Sequence, residues 1–135
     1  MMKRLFVNLP VQDLDRSVSF FGALGFQLVP EYTDENAACI EINEGAYAML
    51  LTRDFMARFT TRKICQPGEC RELLLAVTCE SREEVDELFE RALASGATAE
   101  GPIRDEGWMY ERYFADPDGH VWDLFWMTDP AADGK

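Results

Sequence analysis

The residue that most needs a chemical explanation is Asp123, a single carboxylate within the apolar segment 120–127. This segment follows an Asp-Pro-Asp-Gly turn in which Pro117 and Gly119 favour chain reversal, so we expect a strand at the end of a hairpin. An ionised carboxylate in apolar surroundings is costly unless it is paired, hydrogen-bonded or bound to a cation. Asp123 is therefore the first candidate for a catalytic role.

A second carboxylate, Glu72, opens the predicted strand 72–78. If Glu72 and Asp123 both point into an apolar cleft, one of them would have a raised pKa and act as a general base. Two structural alternatives remain open. Asp123 would pair with Arg112 on the neighbouring strand, and Glu72 would be a solvated strand end.

Aromatic and polar side chains supply candidates for ligand binding. Trp108 and Tyr110 offer stacking surface for a planar or cationic ligand, with core or interface packing as the alternative. Asn8 shares a strand face with Phe6 and could orient a ligand by hydrogen bonds. His120 is the only histidine and falls on the other face of its strand from the carboxylate, so we expect it to be structural.

The composition excludes several classes of protein. The net charge of −12 argues against nucleic acid and anionic membrane surfaces as partners, because both need a basic face. No apolar run approaches the roughly 20 residues that span a bilayer, and Asn8 and Pro10 interrupt the amino-terminal apolar stretch. We therefore expect a cytoplasmic protein with reduced cysteines, which stand at Cys39, Cys65, Cys70 and Cys79.

Hydrophobic periodicity predicts that the chain repeats one order of elements. The elements predicted for the first half are a strand at 3–11, a helix capped by Asp13 and ended by Gly25, strands at 25–30, 37–42 and 46–52, and a short helix at 54–59. Those of the second half are a strand at 72–78, a helix with a capping box at Ser81 and Glu84 and a stop at Gly96, and strands at 97–101, 108–114 and 120–127.

This repeat predicts one α+β domain over residues 1–135, with module one at 1–59, a linker at 60–71 and module two at 72–129. Two modules of strand, helix and three strands give about eight strands and two main helices. A single four-stranded sheet cannot cover both of its faces, so we expect the modules to pair, within the chain or between chains. A cleft between the modules, open like a half-barrel, would be the default small-molecule site.

Two motifs carry a resemblance to a known family. The first module contains Asp-Leu-Asp-Arg-Ser at 13–17 before its helix, and the second contains Asp-Pro-Asp-Gly at 116–119 before its last strand. In these motifs and in its order of elements the chain resembles the vicinal oxygen chelate superfamily, which includes glyoxalase I, bleomycin-resistance proteins and extradiol dioxygenases. The resemblance implies paired βαβββ modules, a homodimer, and a divalent metal held by four strand residues facing a cleft.

The positions that the resemblance assigns to that metal depart from the family pattern. They are Phe6, Met49, Glu72 and Asp123, and they include no histidine. Phe6 offers no donor, and the thioether of Met49 is a soft ligand poorly matched to Ni²⁺ or Zn²⁺. We therefore predict no cofactor; a divalent metal, if bound, would depend on Asp123 and Glu72. Phe6 and Met49 become candidates for ligand binding, together with Asn8, Trp108, Tyr110 and Arg112.

The leading functional hypothesis is a glyoxalase-like or bleomycin-resistance-like protein that binds a small organic molecule in an aromatic cleft without the four-ligand metal site. One alternative is a metal-dependent enzyme with an altered ligand set, resembling a lactoylglutathione lyase, an isomerase or a dioxygenase. A third hypothesis is a non-catalytic scaffold module. Sequestration predicts binding without turnover, the enzyme predicts turnover that a chelator abolishes, and the scaffold predicts neither.

Overall fold

The computed structural model describes residues 3–128 of the chain. The predicted domain limits at residues 1, 129 and 135 lie outside this range. The chain divides into two compact units, with the boundary between Gln66 and Pro67. That boundary falls inside the predicted linker 60–71.

The first unit is a four-stranded mixed sheet with one long helix. Its elements are β1 (Leu5–Val11), α1 (Leu14–Ala23), β2 (Gln27–Val29), a turn of 3-10 helix (Pro30–Tyr32), β3 (Ala37–Asn43), β4 (Ala46–Thr52) and α2 (Arg53–Met56). The strand order is β1-β4-β3-β2, with β1 parallel to β4 and the other neighbours antiparallel. The side chain of Asp13 caps the start of α1, because its carboxylate accepts a hydrogen bond from the Arg16 amide at 3.1 Å.

Buried apolar side chains fill the space between α1 and the first sheet. The helix contributes Phe20 and Phe21, whose rings meet edge to face with centroids 4.9 Å apart. The strands contribute buried residues that share one face of the sheet, namely Leu9, Val11, Ala38, Ile40, Ala48 and Leu50. Because successive side chains of a strand point to opposite faces, Phe6 and Asn8 of β1 lie on the other face of the sheet.

The second unit repeats this plan. Its elements are β5 (Leu75–Thr78), α3 (Arg82–Ala94), β6 (Thr98–Ala99), β7 (Arg104–Asp105), β8 (Met109–Ala115) and β9 (Val121–Met127). The strand order is β5-β9-β8-β6, with β5 parallel to β9 and β7 paired to β8. The predicted cap of α3 is present, since the Ser81 hydroxyl accepts from the Glu84 amide at 3.0 Å. The predicted α+β class is confirmed.

The turn between β8 and β9 is organised by Asp116, which is buried. Its carboxylate accepts hydrogen bonds from the amides of Asp118 and His120, both at 3.0 Å, and from the Trp122 indole at 3.1 Å. Burial raises the pKa of Asp116, while the charge of His120 and these donors oppose the rise. The turn thus fixes where β9 begins.

Several predicted boundaries were wrong. β5 begins at Leu75 rather than residue 72, because its partner β9 begins only after the turn, and the register pairs Leu75 with Trp122. β7 was not predicted, so the described residues form nine strands rather than about eight. The short helix covers 53–56 rather than 54–59, and β2 and β6 are shorter than expected. Within residues 3–128, none of the helices has the length and apolar character that crossing a membrane requires.

Candidate functional site

The central hairpin of the second sheet separates two sets of side chains. On one face, the Arg112 guanidinium lies 3.0 Å from the Asp86 carboxylate of α3, and the Tyr110 hydroxyl donates to the same carboxylate at 2.6 Å. Residues at odd positions of β8 and β9 point to the other face, where the register places Tyr113 directly opposite Asp123. We call this second face the carboxyl face, defined by Glu111, Tyr113 and Asp123.

Glu111 is the centre of the contacts on the carboxyl face. The residue is buried, with 5% of its surface exposed. One carboxylate oxygen accepts from the Tyr113 hydroxyl at 3.1 Å and lies 3.0 Å from the Arg104 guanidinium. The negative charge of the same carboxyl group also acts on Asp123, which lies on the neighbouring strand. Two carboxyl groups, one phenol and one guanidinium therefore form a single cluster.

Asp123 is the member of this cluster with spare hydrogen-bonding capacity. Its Oδ1 atom is buried, and no hydrogen-bond partner for it exists among the described residues. A buried carboxylate oxygen without a partner is destabilising by roughly 1–3 kcal/mol or more, and nearly all such atoms in folded proteins are bonded. The atom is therefore a natural place for a donor supplied by a ligand.

The surroundings of Asp123 also control its protonation. Burial raises the pKa of Asp123 to about 7, and the hydrogen bond and negative charge of Glu111 act in the same direction. The charge of Arg104 opposes them. Burial likewise raises the pKa of Tyr113, with the charges of Asp123 and Glu111 adding to the effect. Near neutral pH, Asp123 is present both as an acid and as a base, which is the condition for moving protons.

Two of the predicted ligand-binding residues lie on the opposite face from Asp123. Arg112 contacts Asp86 and Glu90 of α3, and its guanidinium carbon lies 3.7 Å from the centre of the Phe89 ring. The alternative that Arg112 pairs with Asp123 is therefore wrong. The predicted roles of Arg112 and Tyr110 toward a ligand stay predictions.

Glu72 is not on a strand. It lies in an exposed segment three residues before β5 begins. The first sheet pairs Asn8 with Met49, and the second pairs Ala76 with Asp123, so the residue equivalent to Phe6 is Leu74 rather than Glu72. The prediction, from spacing, that Glu72 occupies the metal position equivalent to Phe6 was wrong. The catalytic role of Glu72 stays a prediction.

Trp108 precedes β8 and is 56% exposed. Its carbonyl oxygen accepts from the amide of Thr128 at 2.9 Å, which closes the end of the hairpin. The neighbouring Gly107 adopts a positive φ of 83°, so the indole follows a tight turn. The structure leaves the Trp108 ring available for stacking, and its ligand contact stays a prediction.

Three members of the cluster were missed from the sequence, namely Arg104, Glu111 and Tyr113. Counting outward from the turn puts Tyr113 opposite Asp123, and Glu111 lies two residues further along the same face. That signal was available in the hairpin interpretation. No comparable signal existed for Arg104, because β7 has only two residues and both are charged.

The first unit presents an aromatic group on the sheet face that carries Phe6, Asn8 and Met49. Register pairs Phe6 with Tyr47 and Asn8 with Met49. The Phe6 and Tyr47 rings stack with centroids 4.6 Å apart and planes 11° apart, and the Arg4 guanidinium lies 5.4 Å from the Phe6 centroid. A pocket of about 420 Å³ opens beside this group, with Arg4 and Tyr47 in its lining.

The residues at the four family metal positions do not fit a metal. Phe6 has no donor and stacks on Tyr47, while Met49 offers only a thioether. Glu72 stands in an exposed segment and does not occupy its assigned position, which leaves Asp123 as the one carboxylate among the four positions. Within residues 3–128, no three His, Cys, Asp or Glu side chains are grouped in a way that could hold a metal ion.

The architecture defines a class of protein: two βαβββ modules, each with its first and last strands parallel and adjacent. Comparisons with known proteins agree. Residues 3–43 match the family described as bleomycin resistance protein-like N-terminal. A search of curated proteins found no match to this chain.

Solved structures match over nearly the whole chain. A hypothetical protein, SA1046 from S. aureus, aligns with a TM-score of 0.80 and 24% identity, covering 93% of this chain and 94% of that one. A glyoxalase-related enzyme from Fulvimarina pelagi aligns with a TM-score of 0.79 and 22% identity, covering 93% of this chain and 88% of that one. A glyoxalase/bleomycin resistance protein/dioxygenase family enzyme from Burkholderia phytofirmans PsJN aligns with a TM-score of 0.77 and 18% identity, covering 94% of this chain and 100% of that one. The chain has the vicinal oxygen chelate fold, and the resemblance seen in its motifs is confirmed.

Proposed function

We propose that this protein binds a small organic molecule on its carboxyl face, and that Asp123 accepts a hydrogen bond from the ligand. The observation that carries the proposal is the buried Oδ1 atom of Asp123, which lacks a partner among the described residues. A ligand N–H or O–H group aimed at this atom would remove the cost of leaving it unpaired. No metal takes part.

The neighbours of Asp123 support a ligand with a planar apolar body. Tyr113 lies opposite Asp123 on β8, and Phe125 lies two residues along β9 on the same face. Both rings are partly exposed and can stack on a planar group. The excess of negative charge, with Glu111 next to Asp123, favours a basic donor such as an amine or amidine over an acid.

The first unit carries an aromatic surface of its own. Phe6 stacks on Tyr47 next to Arg4, and Asn8 is exposed on the same face as Met49. We propose, as a separate contact surface within the first unit, that Phe6, Asn8 and Met49 are ligand-binding residues, as the sequence predicted.

The experiment uses a pair of probes of similar shape. Benzamidine carries N–H donors and a positive charge, and toluene carries neither. We expect benzamidine to shift the Asp123 carboxyl signal in a ¹³C NMR titration, and Asp123→Asn to weaken its binding at least tenfold. Glu35→Gln, an exposed acid in the first unit, is the matched control. Equal affinity of wild type and Asp123→Asn would place binding elsewhere, and failure of any planar amine to shift the signal would favour a scaffold module.

A catalytic role for Asp123 is the second candidate. The pKa of about 7 suits a general base that removes a proton next to a carbonyl group. A glyoxalase-like lyase or isomerase without a metal would then convert the hemithioacetal of methylglyoxal and glutathione in the presence of EDTA, and Asp123→Asn would abolish turnover. Turnover that EDTA abolishes would instead support the metal-dependent alternative. Binding without turnover would favour sequestration.

We also propose, from the family resemblance alone, that the protein is a cytoplasmic homodimer. Light scattering coupled to size-exclusion chromatography gives the mass in solution directly. A mass of 15.4 kDa at micromolar concentration would contradict the dimer.

A further inference from the structure

The position of Arg104 on the carboxyl face depends on a strand that makes few contacts of its own. β7 consists of Arg104 and Asp105, and it pairs only with β8, where Arg104 lies opposite Glu111 and Asp105 opposite Tyr110. Adjacent residues of a strand point to opposite faces. The Arg104 side chain therefore lies on the carboxyl face, and the Asp105 side chain lies on the face of α3.

On the α3 face, Asp105 is held by Arg82 through two parallel hydrogen bonds. Arg82 Nη1 donates to Asp105 Oδ2 and Arg82 Nη2 donates to Oδ1, both at 2.8 Å. Arg82 Nη2 also donates to the Gly107 carbonyl at 3.0 Å, and the Gly107 amide donates to Asp105 Oδ1 at 2.9 Å. This arrangement gives a fixed geometry, because a guanidinium that bonds a carboxylate at two points has little freedom to turn.

Arg82 is itself fixed from two directions. It is the first residue of α3, and its guanidinium carbon lies 5.1 Å from the Tyr110 ring centre and 5.2 Å from the Trp126 ring centre. Cation–π contacts at these distances add to the ion pair. The hydrogen bond from Arg82 keeps the pKa of Asp105 at about 2, so the pair stays ionised throughout the range in which Asp123 titrates.

We propose that the Arg82–Asp105 pair is a latch that holds β7 in place and thereby keeps Arg104 against Glu111, next to Asp123. Arg82 and Asp105 are then positioning residues for the proposed site, and this inference rests on the carboxyl face being that site. The groups that face Asp123 are Glu111 and Tyr113 from β8 and Arg104 from β7; β5, on its other side, contributes no titratable residue. Moving Arg104 away would therefore remove the one positive charge among these groups that face Asp123.

The sign of the effect separates a latch from a simple change of charge. Asp105→Asn removes a negative charge, which by itself would lower the pKa of Asp123. If the substitution also frees β7, Arg104 moves away from Glu111 and the pKa of Asp123 rises. A rise is therefore the sign expected from a displaced guanidinium, and it is opposite to the sign of the simple charge change.

The experiment is a ¹³C NMR titration of the Asp123 carboxyl group in ligand-free protein. We expect Asp105→Asn to raise the midpoint by about half a pH unit, Arg104→Gln to raise it at least as far, and Asp105→Glu to restore the original value. Arg82→Lys, which keeps the charge but loses the two-point contact, is a second variant with a smaller expected rise. Glu87→Gln removes the same charge from the exposed Arg91–Glu87 pair of α3 and serves as the control.

The outcomes are decisive in both directions. An unchanged or lower midpoint in Asp105→Asn, or no change in Arg104→Gln, would overturn the latch. Because no ligand is present, the result is independent of the proposed function: a shifted midpoint without benzamidine binding would keep the latch and reject the proposed function. Benzamidine binding with an unchanged midpoint would support the proposed function and reject the latch.

Discussion

The protonation of Asp123 should be visible in the stability of the protein. Its pKa is about 7 in the folded protein and 3.8 as a free side chain. The folded state therefore binds the proton more tightly than the unfolded state between these values. The stabilisation from this group is complete below about pH 4 and is lost as the pH rises through 7.

The size of this loss follows from the shift. A difference of about three units between the folded and unfolded pKa values corresponds to about 4 kcal/mol of unfolding free energy. Asp123 is only half-buried, so solvent screens part of its interaction, and we reduce the expected loss to about 2 kcal/mol. Asp123→Asn carries no charge at any pH and should not show this loss. Relative to the wild type, the variant should gain about 2 kcal/mol of stability between pH 3 and pH 9, with most of the gain between pH 4 and pH 7.

Urea unfolding followed by tryptophan fluorescence is the suitable assay, because Trp108, Trp122 and Trp126 all lie in the second unit and report on its unfolding. Free energies would be compared at each pH for the wild type, Asp123→Asn and the control Glu35→Gln. The control should run parallel to the wild type. If Asp123→Asn also keeps a constant difference from the wild type at all pH values, Asp123 does not titrate near neutrality and the argument for its role fails.

Two further substitutions test the surroundings of the site. Glu111→Gln removes a neighbouring negative charge and should lower the pKa of Asp123 from about 7, although burial should keep it above 3.8; an unchanged ¹³C NMR midpoint would show that burial alone sets the value. Asp116→Ala leaves the His120 amide and the Trp122 indole without their acceptor in a buried turn, and should lower the unfolding free energy by about 2–3 kcal/mol in urea. A loss below about 0.5 kcal/mol would mean that other groups replace this carboxylate.

The fold was accessible from the sequence because its signals are local. Asp13 and Ser81 cap the two long helices, and glycines at 25 and 96 follow them with positive φ. The hairpin turn at 116–119 has the composition that its geometry requires. These features depend on neighbouring residues, so no knowledge of distant contacts was needed.

The site was less accessible because it depends on register and on distant anchors. The start of β5 is set by β9, about 45 residues away in the chain, and an apolar run alone does not show where pairing begins. Glu72 was therefore placed on a strand that starts three residues later. Arg104 is positioned by Arg82 of the preceding helix, and a two-residue strand of charged side chains carries no periodic signal.

The two faces of the β8–β9 hairpin deal with buried charge in different ways. On the α3 face, Arg112 lies against Asp86 and Glu90, so its positive charge has acceptors close by, although its buried Nε atom has no partner among the described residues. On the carboxyl face, Arg104 serves Glu111, and Asp123 keeps a buried oxygen without a partner among the described residues. Such an arrangement reduces stability, and strongly perturbed groups of this kind cluster at binding and catalytic sites. The same alternation that builds the core on one face thus leaves, on the other, an acceptor that a ligand can complete.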